Sequence, residues 1–187
     1  MGQKEQIIVP SGGTDAKEKT LGVRYADGGL VAQVTSWAMA TPFESAQLNL
    51  QLFELRREPV LREARAWFTR EFNPESFEEM LTLMRGERNA WFRMVLGYWD
   101  MAASLVTTGA IDAGAFCAAH SEIFATFSKI YPFLSELREA SGEPELCKHM
   151  ESVILSTPDA VAVMDRRRVR LRAAAKAREA KLNAGLN

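Results

Sequence analysis

From Thr41 onward the chain is punctuated as a succession of helices, and the forty residues before that point are not. Thr41-Pro42-Phe43-Glu44 combines a capping box with proline at the first helical position. The helix it opens is expected to run to about Arg57, before Pro59. Its apolar residues fall on two faces, Leu48, Leu52 and Leu55 on one and Phe43, Ala46, Leu50 and Phe53 on the other. Such a helix is either central in its own fold or in contact with another chain. The next helix is expected over about 60–72, with Val60, Ala64, Trp67, Phe68 and Phe72 in one stripe. Asn73-Pro74 then caps a short helix reaching about Met84.

A long helix is expected from about Glu87 to Thr108, with Trp91, Val95, Tyr98, Ala102 and Leu105 at helical spacing and Gly109 as its stop. Asp112 caps the following one, which carries Phe116, Ile123, Phe124, Phe127 and Ile130. Tyr131-Pro132 bends or restarts it, and it ends near Ser141-Gly142. Pro144 is expected to start a helix with Leu146, Met150, Val153 and Ile154 inward, and Thr157-Pro158 to cap the last. The fold class is therefore all-α, an irregular or orthogonal bundle of five to seven helices. No internal repeat is visible, and no heptad pattern outlasts three turns.

Residues 1–40 hold six of the twelve glycines and lack a helical stripe. Leu21, Val23 and Tyr25 alternate with other residues, Asp27-Gly28-Gly29 follows, and Leu30 to Val34 resumes. This reads as a β-hairpin, or as an extended arm that orders on a partner. The organisation expected is an N-terminal arm over 1–40, a helical domain over 41–157, and a basic helix over 158–187 that leaves the body after Leu171.

Charge sets that last helix apart. From Asp165 onward there are eight Lys or Arg and two Asp or Glu, a net charge of +6, while the first 164 residues carry fifteen and twenty-two, a net of −7. Arg166, Arg167, Arg168, Arg170, Arg172, Lys176, Arg178 and Lys181 surround the helix and form the candidate interaction site. Helices of this kind bind phosphates, anionic lipid or an acidic protein surface. The absence of aromatics after Phe133 weakens nucleic acid, and the alanine-rich apolar side weakens membrane. Another protein, or the acidic body of another copy, is the expected partner.

Candidate chemistry is sparse. Cys117-Ala-Ala-His120 and Cys147-Lys-His149 hold all four of the chain's Cys and His, a set that suits tetrahedral zinc. Cys117 and His120 share a helix face, but Cys147 and His149 are two apart and point in opposite directions on a helix. A core histidine at His120 is the simpler reading. Glu71, Glu75, Glu78 and Glu79 are explained by capping and solvation. Asn89, Arg93, Asp100 and Ser104 draw a polar line along the long helix, read as a solvated face or ion pair, or else as an anion or ligand site between helices. Nucleotide, hydrolase and metalloprotease motifs are missing, and Ser11-Gly12-Gly13-Thr14 lacks the Gly-Lys-Ser/Thr ending that grips phosphate. No catalytic residue, cofactor or small-molecule substrate is expected.

Two cysteines do not make a disulfide scaffold, and the first residues lack a signal-peptide pattern. The cytoplasm is the expected setting, with the periphery of a membrane complex as the second. Position 6 is Gln where myristoylation wants Ser or Thr.

The segment Leu52–Ile154 resembles the bacterial helical domain-of-unknown-function family 4760. The resemblance is carried by the helix pair around Pro59, Tyr98-Trp99-Asp100 leading to Thr108-Gly109-Ala110-Ile111-Asp112, Tyr131-Pro132-Phe133, Arg138 and His149-Met150-Glu151. It implies a helical fold and no assigned activity or site. Many members have a spanning N-terminal helix, whereas Gly28–Phe43 here is short and interrupted by Gln33, Thr35, Ser36 and Thr41.

The sequence thus points first to a non-enzymatic interaction or assembly subunit. An anion-binding regulator acting through the basic helix comes second, and a metalloprotein using Cys117, His120, Cys147 and His149 third.

Overall fold

The computed structural model describes residues 7–10, 18–24, 30–37 and 40–185, with side chains over 40–184. The chain divides into two units, 1–40 and 41–187. In the first, strands β1 (Ile7–Pro10), β2 (Glu18–Arg24) and β3 (Leu30–Trp37) pair antiparallel in that order, with Val9 opposite Gly22 and Thr20 opposite Thr35. The turn expected at Asp27-Gly28-Gly29 lies outside the described residues.

The second unit is helical: α1 (Pro42–Leu55), α2 (Pro59–Arg70), α3 (Phe77–Arg85), α4 (Asn89–Thr107), α5 (Ala113–Ala119), α6 (Glu122–Ile130), a 3₁₀ turn at Tyr131–Phe133, α7 (Leu134–Ser141), α8 (Lys148–Leu155) and α9 (Ala160–Gly185). Among the described residues eight helices precede the basic one, more than the five to seven expected. The extra break comes at His120, where the backbone leaves the helical region (φ −120°, ψ 47°) and splits one expected helix into α5 and α6. The cause is tertiary, because the His120 ring is fully buried and hydrogen-bonded to α1.

Local chemistry explains most boundaries. Thr41 Oγ1 accepts the Glu44 N–H while the Glu44 carboxylate accepts the Thr41 N–H at 2.9 Å, completing the capping box. Gly109, at φ 77°, terminates α4, and Asp112 caps α5 by accepting the Ala115 N–H at 2.7 Å. Three starts differ from expectation. The cap of α3 is Ser76 rather than Asn73, because Ser76 Oγ accepts the Glu79 N–H and the Glu79 carboxylate reaches back to the Glu75 N–H. Helix α8 begins at Lys148, not near Pro144, since Cys147 takes a left-handed conformation (φ 58°). Helix α9 begins after a left-handed Asp159 (φ 53°), while Thr157 donates to Ile154 O and closes α8.

Helix α4 is the spine. At 1.5 Å per residue its 19 residues span roughly 28 Å. It buries Phe92, Val95, Leu96, Tyr98, Trp99, Ala102 and Ala103 against α2 on one side and α8 on the other. Helix α6 is the most enclosed, with Ile123, Phe124, Thr126, Phe127, Ser128, Lys129 and Ile130 all buried. A single apolar cluster runs from Leu52 to Met164. Among the described residues no helix is long and apolar enough to cross a membrane.

Candidate functional site

Helix α9 does not leave the body at Leu171. Arg167 donates to Ser121 O at 2.7 Å and lies over the Phe124 ring, Arg172 donates to Pro74 O, and Lys176 pairs with Glu75 at 3.2 Å. The loop between α2 and α3 offers a carbonyl and a carboxylate to Arg172 and Lys176, which holds the helix down about one and a half turns longer than its weak apolar stripe suggests. Arg168 pairs with Asp165, and Arg178 donates to Ala174 O within the same helix. Arg166, Arg170 and Lys181 are exposed and make no hydrogen bond or ion pair among the described residues. Beside α9 lies an open groove of about 670 Å³ whose walls mix Arg70, Glu71, Glu79, Arg178 and Glu179, so it presents no single-sign field. The eight cations therefore divide into those serving the fold and three directed outward.

A polar knot ties α1, α2, α4 and α6 together. Glu122 accepts from Arg56 Nη2 at 2.8 Å and from Arg65 Nε at 2.8 Å, with a second bond from Arg65 Nη2. Arg65 also donates to Arg56 O, and the Arg56 guanidinium lies over the rings of Phe53 and Trp99. Arg56 Nη1 is 3.5 Å from His120 Nδ1, and His120 Nε2 is 2.9 Å from Asn49 Oδ1. A guanidinium can only donate, so Nδ1 accepts and Nε2 carries the proton to Asn49. Burial, with the Arg56 charge beside it, pushes His120 down to about 4 and keeps the ring neutral. Tyr98 donates to Leu52 O at 2.8 Å and is pushed up to about 12 by burial. Arg56 Nε and the Trp99 indole nitrogen are buried without an acceptor among the described residues.

Lys129 is the other buried charge. Its Nζ donates to the carbonyls of Phe68 and Thr69 in the last turn of α2 and of Phe72, two residues beyond the helix, at 2.7–2.9 Å. Burial, reinforced by Arg178, pushes it down to about 7. Sequence reasoning missed this role. The available signal was α6 itself, whose only charged residues are Glu122 and Lys129, one at each end.

The Cys/His set serves separate purposes. His120 belongs to the knot, His149 Nδ1 is 2.8 Å from Thr107 Oγ1, Cys117 is half-buried and Cys147 is buried. Burial raises both thiols, Cys147 to about 12, so neither is a thiolate at neutral pH. Among the described residues, no three His, Cys, Asp or Glu side chains are grouped to hold a metal ion.

The polar line on α4 resolves into two functions. Asp100 Oδ1 accepts the N–H groups of His149 and Met150, both at 3.0 Å, and so caps α8 from another helix, where Cys147 gives no side-chain cap. Arg93 is exposed and makes no hydrogen bond or ion pair among the described residues. Both line a cleft of about 390 Å³ between α4 and the α7–α8 connection, floored by Phe92, Leu96, Leu137, Leu146 and Cys147. Ser104 is not part of it and donates to Met101 O.

Helix α1 presents an open apolar face. Only Ser45 and Leu52 are buried, with Leu48, Asn49 and Arg56 half-buried along the same edge. Phe43 is 70% exposed, Leu50 67%, Leu55 52% and Phe53 43%. Of the two readings of this helix, the central position is ruled out by that exposure.

No curated protein and no solved structure matches the chain. Residues 41–156, the whole of α1 to α8, match the family described as a domain of unknown function, DUF4760. The matched segment carries every feature above except α9, and on that match the chain belongs to the DUF4760 family.

Proposed function

We propose that the protein is a non-enzymatic assembly subunit that pairs with a second copy of itself along α1. The observation that carries this reading is the exposed stripe Phe43, Ala46, Leu50, Phe53, in which the Phe53 ring rests by one side on Arg56 and His120 and is otherwise open. Its spacing of three, four, three reads the same in both directions. A two-fold axis perpendicular to the helix therefore maps the stripe onto itself. Antiparallel pairing then sets Phe43 against Phe53 of the second copy and Ala46 against Leu50, a large side chain opposite a small one at the centre. The acidic body and the basic α9 supply opposite charges for any further contact between copies. The proposed setting is the cytoplasm or the periphery of a membrane complex.

Sedimentation equilibrium of the full chain tests the reading. A dimer is expected that becomes a monomer in Leu50→Asp, with unchanged helical circular dichroism. A wild-type chain that stays monomeric at high concentration overturns it.

A second reading rests on Arg166, Arg170 and Lys181, the three outward cations of α9, as a docking patch for nucleic-acid phosphate or anionic lipid. It requires salt-dependent retention on immobilised duplex RNA or on anionic vesicles. Retention that survives replacement of all three by Gln removes this reading.

A further inference from the structure

The cleft along α4 has features that neither the core nor the α1 surface uses. Gly97 sits in the middle of a 19-residue helix, where glycine is the poorest choice after proline. Helix interiors keep glycine when a neighbour approaches too closely for a side chain. Here a Cβ at Gly97 would meet nothing within 4 Å. Gly97 lines the cleft, so the missing side chain leaves room in its wall. One turn before it, Arg93 brings an exposed guanidinium with no partner among the described residues. Opposite stand Leu137 and Leu146, and the wall ends at Cys147, a non-glycine residue held at φ 58°. Backbone strain of that kind concentrates where chains bind ligands.

The charges limit what fits. Among the described residues Arg93 is the one cation of the lining, against the carboxylates of Asp100 and Glu143. Arg93 and Asp100 are two turns apart on α4, roughly 10 Å along the axis, and Glu143 stands on the α7–α8 connection. One headgroup cannot meet both Arg93 and Asp100. Asp100 already accepts two N–H groups from the first turn of α8, so its charge is compensated there. Glu143 caps no helix in this way among the described residues, so a second anionic group on the ligand would meet its carboxylate and the ligand is limited to one. From these constraints we infer that the cleft binds a small amphipathic monocarboxylate, its carboxylate on Arg93 and its apolar chain laid across Gly97 onto Leu96, Leu137 and Leu146. This site is independent of the α1 stripe and does not require a dimer.

Calorimetric titration of the full chain with octanoate, octanol and octylamine tests it. Octanoate is expected to bind saturably, about tenfold more tightly than octanol, the range of one charge-assisted hydrogen bond. Octylamine is expected to bind more weakly than either. Arg93→Gln should erase the preference for octanoate while octanol binding persists. Gly97→Leu should abolish both without lowering the melting temperature, because leucine is the better helix former. Absence of saturable octanoate binding, equal binding of octylamine, or octanoate binding unchanged in both variants overturns the proposal. The sedimentation result for Leu50→Asp leaves these outcomes unaffected, so the two readings fail separately.

Discussion

Helices α6 and α1 are both rich in apolar residues, yet α6 is enclosed on nearly every side and α1 buries a single edge. The difference lies in how each end is anchored. Glu122, opening α6, takes both Arg56 and Arg65, and Lys129 near its end takes three carbonyls of the α2 terminus. Those polar clamps let a charged helix sit in the core. Helix α1 is tethered by the buried Ser45 hydroxyl, which accepts the Asp112 N–H, by Leu52 O and by the Arg56 side chain, and its outer Phe43 and Leu50 are left uncovered. Burial in this fold thus follows the supply of polar partners as much as hydrophobicity.

The comparison can be broken most forcefully at Lys129. Lys129→Met keeps the apolar stem and strands three carbonyls, with an expected loss of about 3 kcal/mol in urea unfolding. Retained stability would mean that the clamp does not hold α6 in place. Glu122→Gln should cost less, about 2 kcal/mol, since the two guanidinium groups it leaves are partly reached by water. Next comes pH. His120 is held at about 4 in the fold against an ordinary 6.5, so the unfolded chain takes up the proton first. Stability should therefore fall as pH drops from about 6.5 to about 4, by on the order of 2 kcal/mol, and His120→Gln should flatten that part of the profile. At the far end of the scale, at concentrations low enough to keep the chain monomeric, Leu50→Ser on α1 should move folding stability by less than about 0.5 kcal/mol. A loss comparable to that at Glu122 would show that α1 is anchored by its outer face after all.

What was legible in the sequence follows the range of the interactions. The Thr41/Glu44 box, the Gly109 stop and the Asp112 cap are settled within four residues, and each stands where local chemistry puts it. Ser76 was overlooked in favour of Asn73-Pro74, a competition between two local signals three residues apart. Partners distant in the chain were not readable. His120 breaks its helix for Asn49 and Arg56, Lys129 is buried by α2, and Asp100 caps a helix 49 residues away. On α4 the polar line was visible, but not that Asp100 belongs to capping and Arg93 to the cleft. On α9 the cations were visible, while the Pro74 carbonyl and Glu75 that hold Arg172 and Lys176 lie in the loop between α2 and α3, about a hundred residues earlier in the chain.

The Asp100 cap has a mechanical consequence. The same carboxylate lines the cleft and holds the first turn of α8, and α8 borders α9 as well as α4. An occupant that pulls Asp100 from His149 and Met150 would loosen α8 at its start and so change the bed on which the basic helix rests. Linkage works in both directions. A partner that clamps α9 would stiffen α8, hold Asp100 in its cap and alter the affinity of the cleft by the same factor.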